Sequence, residues 1–399
     1  MSALWYNDDI LSQVGQKQRQ IGEYLLTCDL DYTDNIGIMD GLAGLGLTLS
    51  LYYRNTGDER YFDKMNQIID LLQEKIYSGK VYNVSYCSGL AGFAWMIVYL
   101  KETELIEVDA DDYLSEIDRV LLRNLILMIE TKEFDPLHSA VGMGFYFLKR
   151  ENHFAIENII DGLYNDRKNI GGHLTWSRID KNNNTEIVDF GLAHGIIGPL
   201  VFLYKCYLKN ISSSKCGEMI RDTISFLLNY MNLSGTPSFF PSSVDFDKMI
   251  QYGSKQNFSR LAWCYGDLTA FSILLKISHV FPVQIDIIKM LEHVAQRKNY
   301  AETLVKDAGL CHGASGIAHI FNRLYQETGK ISFEKAANYW LKRTLLFGNE
   351  ADGITGYAFN ENPNPSPLDL LVGISGVGLA LTSFQNPELN NWDESIFLT

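Results

Sequence analysis

The chain carries the stretch Gly41-Leu-Ala-Gly44 directly before an apolar segment, Leu45–Tyr53, and variants of this stretch recur along its 399 residues. Glycine costs a helix about 1 kcal/mol relative to alanine, so its recurrence at the start of apolar helical runs calls for a packing reason. Successive copies begin 47 to 71 residues apart. We refer to them as glycine motifs one to seven: Gly41-Leu-Ala-Gly44, Gly89-Leu-Ala-Gly92, Ser139-Ala-Val-Gly142, Gly195-Ile-Ile-Gly198, Gly266-Asp-Leu-Thr-Ala270, Gly313-Ala-Ser-Gly316 and Gly373-Ile-Ser-Gly376.

Amphipathic segments with a charged face lie between the motifs, for example Arg60–Ile76, Tyr113–Ile129 and Phe333–Leu346. Apolar helices that alternate with amphipathic ones favour two layers, with the apolar helices inside. A repeat of this length indicates a stacked or closed helical array. With an outer helix in Ile10–Leu26, the pattern predicts an all-α protein, an α/α toroid of seven helix pairs. An open solenoid, or glycines that only mark loops, is the alternative, and either is still all-α.

Two stretches, 169–190 and 232–260, depart from the helical pattern and are rich in glycine, proline and polar residues. We expect long loops or short hairpins there, inserted before motifs four and five. Insertions at one end of a helical array are a common place for a substrate cleft. The prediction is therefore a single toroid domain over residues 1–399 with two insertions.

Composition and charge exclude several classes of protein. A net charge of −14 and a pI near 5.0 argue against nonspecific nucleic-acid binding, which needs a basic face. Met1–Ile10 lacks the basic region of a signal peptide, and the longest apolar stretch, Gly191–Leu208, is interrupted by His194 and Lys205. Six irregularly spaced cysteines do not make a disulfide scaffold. We expect a cytoplasmic protein that reaches a membrane only through partners.

Polar residues that could act in catalysis or metal binding cluster just before the glycine motifs. They are Asp135 before motif three, His194 before motif four, Cys264 and Tyr265 before motif five, and Cys311 and His312 before motif six. If the motifs start the inner helices, these residues share one rim of the toroid. The positive potential of helix N-termini there favours thiolate over thiol.

Cys264, Cys311 and His312 form a Cys₂His set, which suits zinc and leaves a fourth coordination position open for chemistry. An adjacent cysteine and histidine are poorly suited to serve only as buried core residues, because each ring nitrogen of His312 needs a hydrogen-bond or metal partner. The alternative is a closed, structural zinc site with His194 as the fourth ligand.

Three segments resemble the lanthipeptide (lantibiotic) synthetase C-type cyclases: Gly191-Leu-Ala-His-Gly-Ile-Ile-Gly-Pro199, Trp263-Cys-Tyr-Gly266 and Cys311-His-Gly313. The resemblance extends over all seven motifs, from Gly41 to Leu381, and is nearest to the stand-alone cyclases of class I pathways. It implies an α/α toroid with one catalytic zinc. It also implies a substrate peptide that is already dehydrated at serine and threonine.

The resemblance carries over to individual residues. It implies that Cys264, Cys311 and His312 are the zinc ligands and that His194 is the active-site histidine. Asp135, Arg260 and Tyr265 match further residues of the family's site. The chain departs from the family pattern at three positions: His138, Ser139 and Val372.

The implied reaction adds a peptide cysteine thiol to dehydroalanine or dehydrobutyrine and closes a lanthionine or methyllanthionine ring. We expect His194 to protonate the resulting enolate, with Tyr265 as a second candidate. Asp135 either orients His194 or pairs with Arg260. Arg260 either stabilises the enolate oxygen or is purely structural.

The expected partners are a dehydrated precursor peptide and, in a biosynthetic complex, a dehydratase and an export transporter. Two other functions remain open at this stage. One is a non-catalytic adaptor of the same fold that binds zinc and thiols. The other is a different zinc-dependent thiol-alkylating enzyme, for which the sequence lacks a basic diphosphate-binding cluster near the motifs.

Overall fold

The computed structural model describes residues 8–180, 183–232, 237–252, 258–359 and 367–399. The chain divides into two compact units. The terminal unit comprises Met1–Asn83, Cys87–Val108 and Val305–Thr399, and the central unit comprises Val84–Tyr86 and Asp109–Leu304.

Helices dominate both units. In chain order they are α1 (Asp8–Thr27), α2 (Leu42–Thr56), α3 (Glu59–Tyr77), α4 (Leu90–Glu102), α5 (Ala110–Tyr113), α6 (Ser115–Glu130), α7 (Ala140–Lys149), α8 (His153–Asp166), α9 (Ile197–Leu208), α10 (Ser213–Asn229), α11 (Phe246–Tyr252), α12 (Asp267–Ser278), α13 (Ile287–Val294), α14 (Tyr300–Thr303), α15 (Ala314–Thr328), α16 (Ile331–Phe347) and α17 (Ile374–Gln385). A 3₁₀-helix, Pro387–Ile396, follows α17. Within the described ranges no helix is long and apolar enough to cross a membrane.

The helices are of two kinds, as the sequence predicts. Those that follow a glycine motif are buried on nearly all sides, and α4 buries every residue from Leu90 to Leu100. The longer helices between them bury one face, as α3 does with Tyr61, Met65 and Leu72. Among the described residues, each glycine motif starts one helix of the first kind: α2, α4, α7, α9, α12, α15 and α17.

The loop before each of these helices folds back over the first helical turn. The N–H of Leu90, the first residue of α4, donates to the carbonyl of Asn83 at 3.0 Å, and Ala314 donates to Asp307 at 2.9 Å. These bonds satisfy amides that a helix start leaves without an intrahelical partner. The fold-back brings a carbonyl oxygen against the glycine six residues later. A Cβ would lie under 3.0 Å from that oxygen at Gly41, Gly44, Gly89, Gly142, Gly195, Gly198, Gly266, Gly316, Gly373 and Gly376.

Successive loops are hydrogen-bonded to one another within each unit. In the terminal unit Cys311 donates to the Leu371 carbonyl at 2.7 Å, and Leu370 donates to Met39 at 3.1 Å. Motif seven is therefore bonded to motif six on one side and to motif one on the other. Helix α17 likewise packs against α15 and against α2. The last repeat thus returns to the first.

The stretch 169–190, expected as a loop or hairpin, forms strands. β1 (Lys168–Ile170) pairs with β2 (His173–Thr175), and β3 (Arg178–Asp180) pairs with β4 (Thr185–Asp189). β4 also pairs antiparallel with β5 (Ser243–Asp245), which comes from the stretch 232–260, so the two insertions share one sheet. Residues 181–182, 233–236 and 253–257 of these stretches lie outside the described residues.

The close approach of loop and helix predicts a strong effect of Gly316→Ala. The new methyl group would collide with the carbonyl oxygen of Leu310, which is backbone and cannot rotate away. We expect a loss of about 3 kcal/mol in the free energy of unfolding, measured by urea denaturation. Gly217→Ala in α10 is the control, because its Cβ would meet only the side-chain ends of Arg221 and Tyr207 at 3.3 Å. It should change the free energy of unfolding by less than about 1 kcal/mol. Equal losses in the two variants would contradict the explanation of the motif.

Candidate active site and metal group

The candidate site residues occupy equivalent positions in different repeats. His194, Tyr265 and His312 directly precede a motif glycine, and Cys264 and Cys311 lie one residue earlier. The fold-back of the loop places all of them at the N-terminal end of a buried helix. The positive end of the helix dipole there favours anionic groups such as thiolates.

Cys264 in the central unit, and Cys311 and His312 in the terminal unit, together have the composition of a metal-binding group. Cys264 is 6% exposed, whereas Cys311 and His312 are half-buried. Two thiolates and an imidazole are soft and borderline ligands of the kind that zinc prefers.

Backbone hydrogen bonds fix both cysteines. The carbonyl of Cys264 accepts from the amides of Leu192 and Ala193, at 2.9 and 3.3 Å, and the amide of Cys311 donates to Leu371. Each cysteine is therefore held by the loop of a neighbouring repeat as well as by its own. Such fixed backbones hold ligands in place before a metal binds.

His194 is hydrogen-bonded to Asp135. The distance between His194 Nδ1 and Asp135 Oδ2 is 2.8 Å. The other carboxylate oxygen of Asp135 accepts from the amides of Leu137 and His138, each at 2.9 Å, which fixes the carboxylate at the start of α7. Of the two partners that the sequence leaves open for Asp135, His194 is the one to which the structure shows a hydrogen bond.

Charge shifts the pKa values of this pair in opposite directions. Burial alone would lower the pKa of His194, but the hydrogen bond and charge of Asp135, together with the charge of Asp189, outweigh it and raise that pKa. Burial would likewise raise the pKa of Asp135, and its contacts with His194 and His138 outweigh burial and lower it. The pair therefore favours a protonated imidazole beside an ionised carboxylate.

The exposed ring of His138 stacks on the ring of His194. The ring centroids are 5.6 Å apart and the planes differ by 16°. His138 precedes Ser139, so it occupies in motif three the position that His194 occupies in motif four.

The ring of Tyr265 also lies near that of His194, with ring centroids 6.5 Å apart. Its hydroxyl donates to Asp189 Oδ2 at 3.2 Å, and Arg178 Nη2 donates to the same oxygen at 2.6 Å. Burial, with the nearby Asp189 charge, raises the pKa of Tyr265 well above its ordinary value, so the phenol stays protonated. Burial also raises the pKa of Asp189, against the opposing effect of Arg178.

Sequence reasoning missed Arg178 and Asp189. Asp189 carried a usable signal, because it lies six residues before Gly195 just as Asp307 lies six residues before Gly313, and each accepts from an amide two residues on. Arg178 carried no such signal, since its contact with Asp189 depends on the pairing of β3 with β4. Arg260 is half-buried, and its carbonyl lies against Gly266.

A family model described as "Lanthionine synthetase C-like protein" matches residues 33–397. The chain belongs to this family. It is 24% identical over 391 residues to "Nisin biosynthesis protein NisC" of Lactococcus lactis subsp. lactis, covering 90% of this chain and 88% of that protein. The solved structure "Nisin cyclase" superposes with a TM-score of 0.73 at 21% identity, covering 98% of each chain. The family resemblance and the predicted fold class, an all-α toroid, are confirmed.

The hydrogen bond between Asp135 and His194 predicts that Asp135→Asn lowers the pKa of His194, because the neutral amide no longer stabilises the imidazolium. NMR titration of the histidine ring signals measures this pKa, with His194→Gln to assign the signal. Asp247→Asn, an exposed carboxylate of the same unit, is the control and should leave the His194 titration in place. An unchanged pKa in Asp135→Asn would show that the carboxylate does not act on His194.

The same pair predicts how stability depends on pH. The raised pKa of His194 contributes stability that is present at low pH and is lost as the pH rises through the folded-state pKa. The lowered pKa of Asp135 contributes stability that is lost as the pH falls through its folded-state value. Asp135→Asn should therefore be least stable relative to wild type between these two values. Urea midpoints measured across the pH range should converge at both extremes.

Proposed function

We propose that this protein is a zinc-dependent cyclase that forms lanthionine and methyllanthionine rings in a dehydrated lantibiotic precursor peptide. The observation that carries the proposal is the hydrogen bond between Asp135 and His194, because His194 precedes a motif glycine just as the metal-ligating residue types Cys264, Cys311 and His312 do. Membership of the lanthionine synthetase C-like family supports it, as do the names of the two relatives, a nisin biosynthesis protein and a nisin cyclase.

The donor set of the metal group fits zinc better than a harder cation. Cys264, Cys311 and His312 would hold a zinc ion, which would supply an open position for a peptide thiol and lower the pKa of that thiol. A free thiol with a pKa near 8.5 is about 3% ionised at pH 7, so full ionisation gains at most roughly thirtyfold in thiolate. Orientation of the peptide and proton transfer by the protein must therefore supply the rest of the acceleration.

His194 is the proposed general acid. The thiolate sulfur forms a bond to the β-carbon of dehydroalanine, and the electron pair of the C=C bond moves to give an enolate. The His194 imidazolium then donates its proton to the α-carbon, and the proton released from the thiol restores the imidazolium. The hydrogen bond and charge of Asp135 raise the pKa of His194 and so favour the protonated acid, and Asp135 acts as a positioning residue that holds the ring.

Tyr265 is a second proposed proton donor at this site. Its raised pKa keeps the phenol neutral, so in the proposed reaction its single proton turns from Asp189 toward the enolate, and Tyr265 acts as a donor rather than as a base. Asp189 and Arg178 fix the phenol, and through β3 and β4 they connect it to the strand insertion. Arg260 remains a candidate for the same oxygen.

A non-catalytic adaptor that binds thiols would need the metal group alone. The Asp135–His194 pair has no purpose in such a protein, and it favours the enzyme. We also propose that a dehydratase and an export transporter are partners, since the substrate must be dehydrated before cyclisation and exported after it. The chain's net charge of −14 supports basic contact surfaces on those partners.

Metal analysis tests the ligand assignment. We expect about one zinc per chain in the wild type and loss of that zinc in Cys264→Ala and in Cys311→Ala. Cys28→Ala, which removes a buried thiol at the end of α1, is the matched control and should keep the metal. Circular dichroism confirms that each variant is folded. A wild-type protein that takes up no zinc would overturn the proposal.

Kinetics test the role of His194. The substrate is a synthetic peptide with one cysteine and one dehydroalanine, and N-ethylmaleimide labelling measures the loss of free thiol. We expect His194→Gln to keep its zinc and to close rings about 10²- to 10⁴-fold more slowly, because the general acid is lost. His153→Gln, an exposed histidine of the same unit, should cyclise at the wild-type rate. A His194→Gln enzyme of normal rate would remove His194 from the mechanism.

A further inference from the structure

We propose that Asp135, His138 and His194 form a second site for divalent zinc, distinct from the Cys₂His group and occupied only when zinc is in excess. Occupancy of this site ties up His194. The binding stands on geometry alone, whereas its inhibitory consequence rests on the proposed function.

The donor atoms are already close together. One ligand atom from each of the three side chains lies within 4.8 Å of the others, and Asp135 Oδ2 is 2.8 Å from His194 Nδ1. Zinc bonds of about 2.0–2.1 Å place tetrahedral donors roughly 3.4 Å apart. The exposed ring of His138 stacks on that of His194 with planes that differ by 16°, and in the proposed site rotation of this exposed side chain brings the donors to that spacing.

The chemistry of the donors suits a metal. Two imidazoles and one carboxylate form an established ligand set for zinc, with room for water in the remaining position. The amides of Leu137 and His138 hold one oxygen of Asp135 and leave the other directed at His194. Outer hydrogen bonds of this kind orient a ligating carboxylate. Exposed His138 gives the ion an entry path from solvent.

The second site should be weaker than the Cys₂His group. It offers no thiolate, and a bound ion must replace the proton that Asp135 and His194 share, which leaves to solvent. Zinc therefore fills the cysteine site first. Once the second site is filled, a ring nitrogen of His194 is bound to metal and unavailable for proton transfer. This predicts inhibition of ring closure by zinc above one equivalent.

Isothermal titration of the one-zinc protein with zinc chloride tests the site. We expect the wild type to bind a second zinc per chain, with proton release that depends on the buffer. His138→Ala removes a surface ligand of the proposed second site. It should lower the affinity for the second zinc at least about tenfold, because loss of even a residue that only hydrogen-bonds to a metal ligand lowers metal affinity by that factor. His153→Ala removes an exposed histidine elsewhere in the central unit and should bind the second zinc as tightly as the wild type.

Two results would overturn the site. One is a wild type that saturates at one zinc per chain; the other is equal weakening in His138→Ala and His153→Ala, which would indicate scattered surface binding. Ring closure by the model peptide, measured at one and at several equivalents of zinc, then tests the consequence. Inhibition in the wild type but not in His138→Ala, each relative to its own rate at one equivalent, is expected. Equal inhibition of both would refute the effect on His194.

A chain that binds the second zinc yet cyclises nothing under any condition would overturn the proposed function and leave the second site standing.

Discussion

The structure depends on the close approach of a loop carbonyl to the first turn of each inner helix. The loop folds back over the helix start, and its carbonyl oxygen accepts a hydrogen bond from an amide of the first turn. This close approach leaves no room for a side chain at the motif glycine. The steric demand explains why glycine stands at helix starts despite its low helix propensity. Within each unit, loops of this kind are also hydrogen-bonded to the loop of a neighbouring repeat.

This constraint also explains where the chemistry lies. A residue one or two positions before the motif glycine is held at a helix N-terminus, with its backbone fixed by two loops. Cys264, His194 and Tyr265 take such positions in the central unit, and Cys311 and His312 take them in the terminal unit. A repeat built for packing thus supplies rigid, equivalent places for the proposed metal ligands and proton donors. Zinc sites and general acids both need such rigidity.

Much of the fold was predictable because the glycines mark a local event. The start of α15 at Ala314 follows directly from Gly313, and the alternation of buried and amphipathic helices follows from hydrophobic spacing. Residue type and repeat position predict a metal group at Cys264, Cys311 and His312, and its zinc stays a prediction. The hydrogen-bond partner of Asp135 could not be predicted from the sequence, which offered two candidates. The structure shows a hydrogen bond to His194, 59 residues away. The network of Arg178, Asp189 and Tyr265 depends on strand register, which short polar strands in an insertion do not specify.

The central claim is that a zinc ion held by two cysteines and a histidine keeps a place for the thiol of the substrate. X-ray absorption at the zinc edge tests it directly, with a peptide whose single cysteine has no dehydrated partner and so cannot react. The account predicts two sulfur ligands at about 2.3 Å in the protein alone and three with the peptide bound. An unchanged zinc environment at saturating peptide would contradict it.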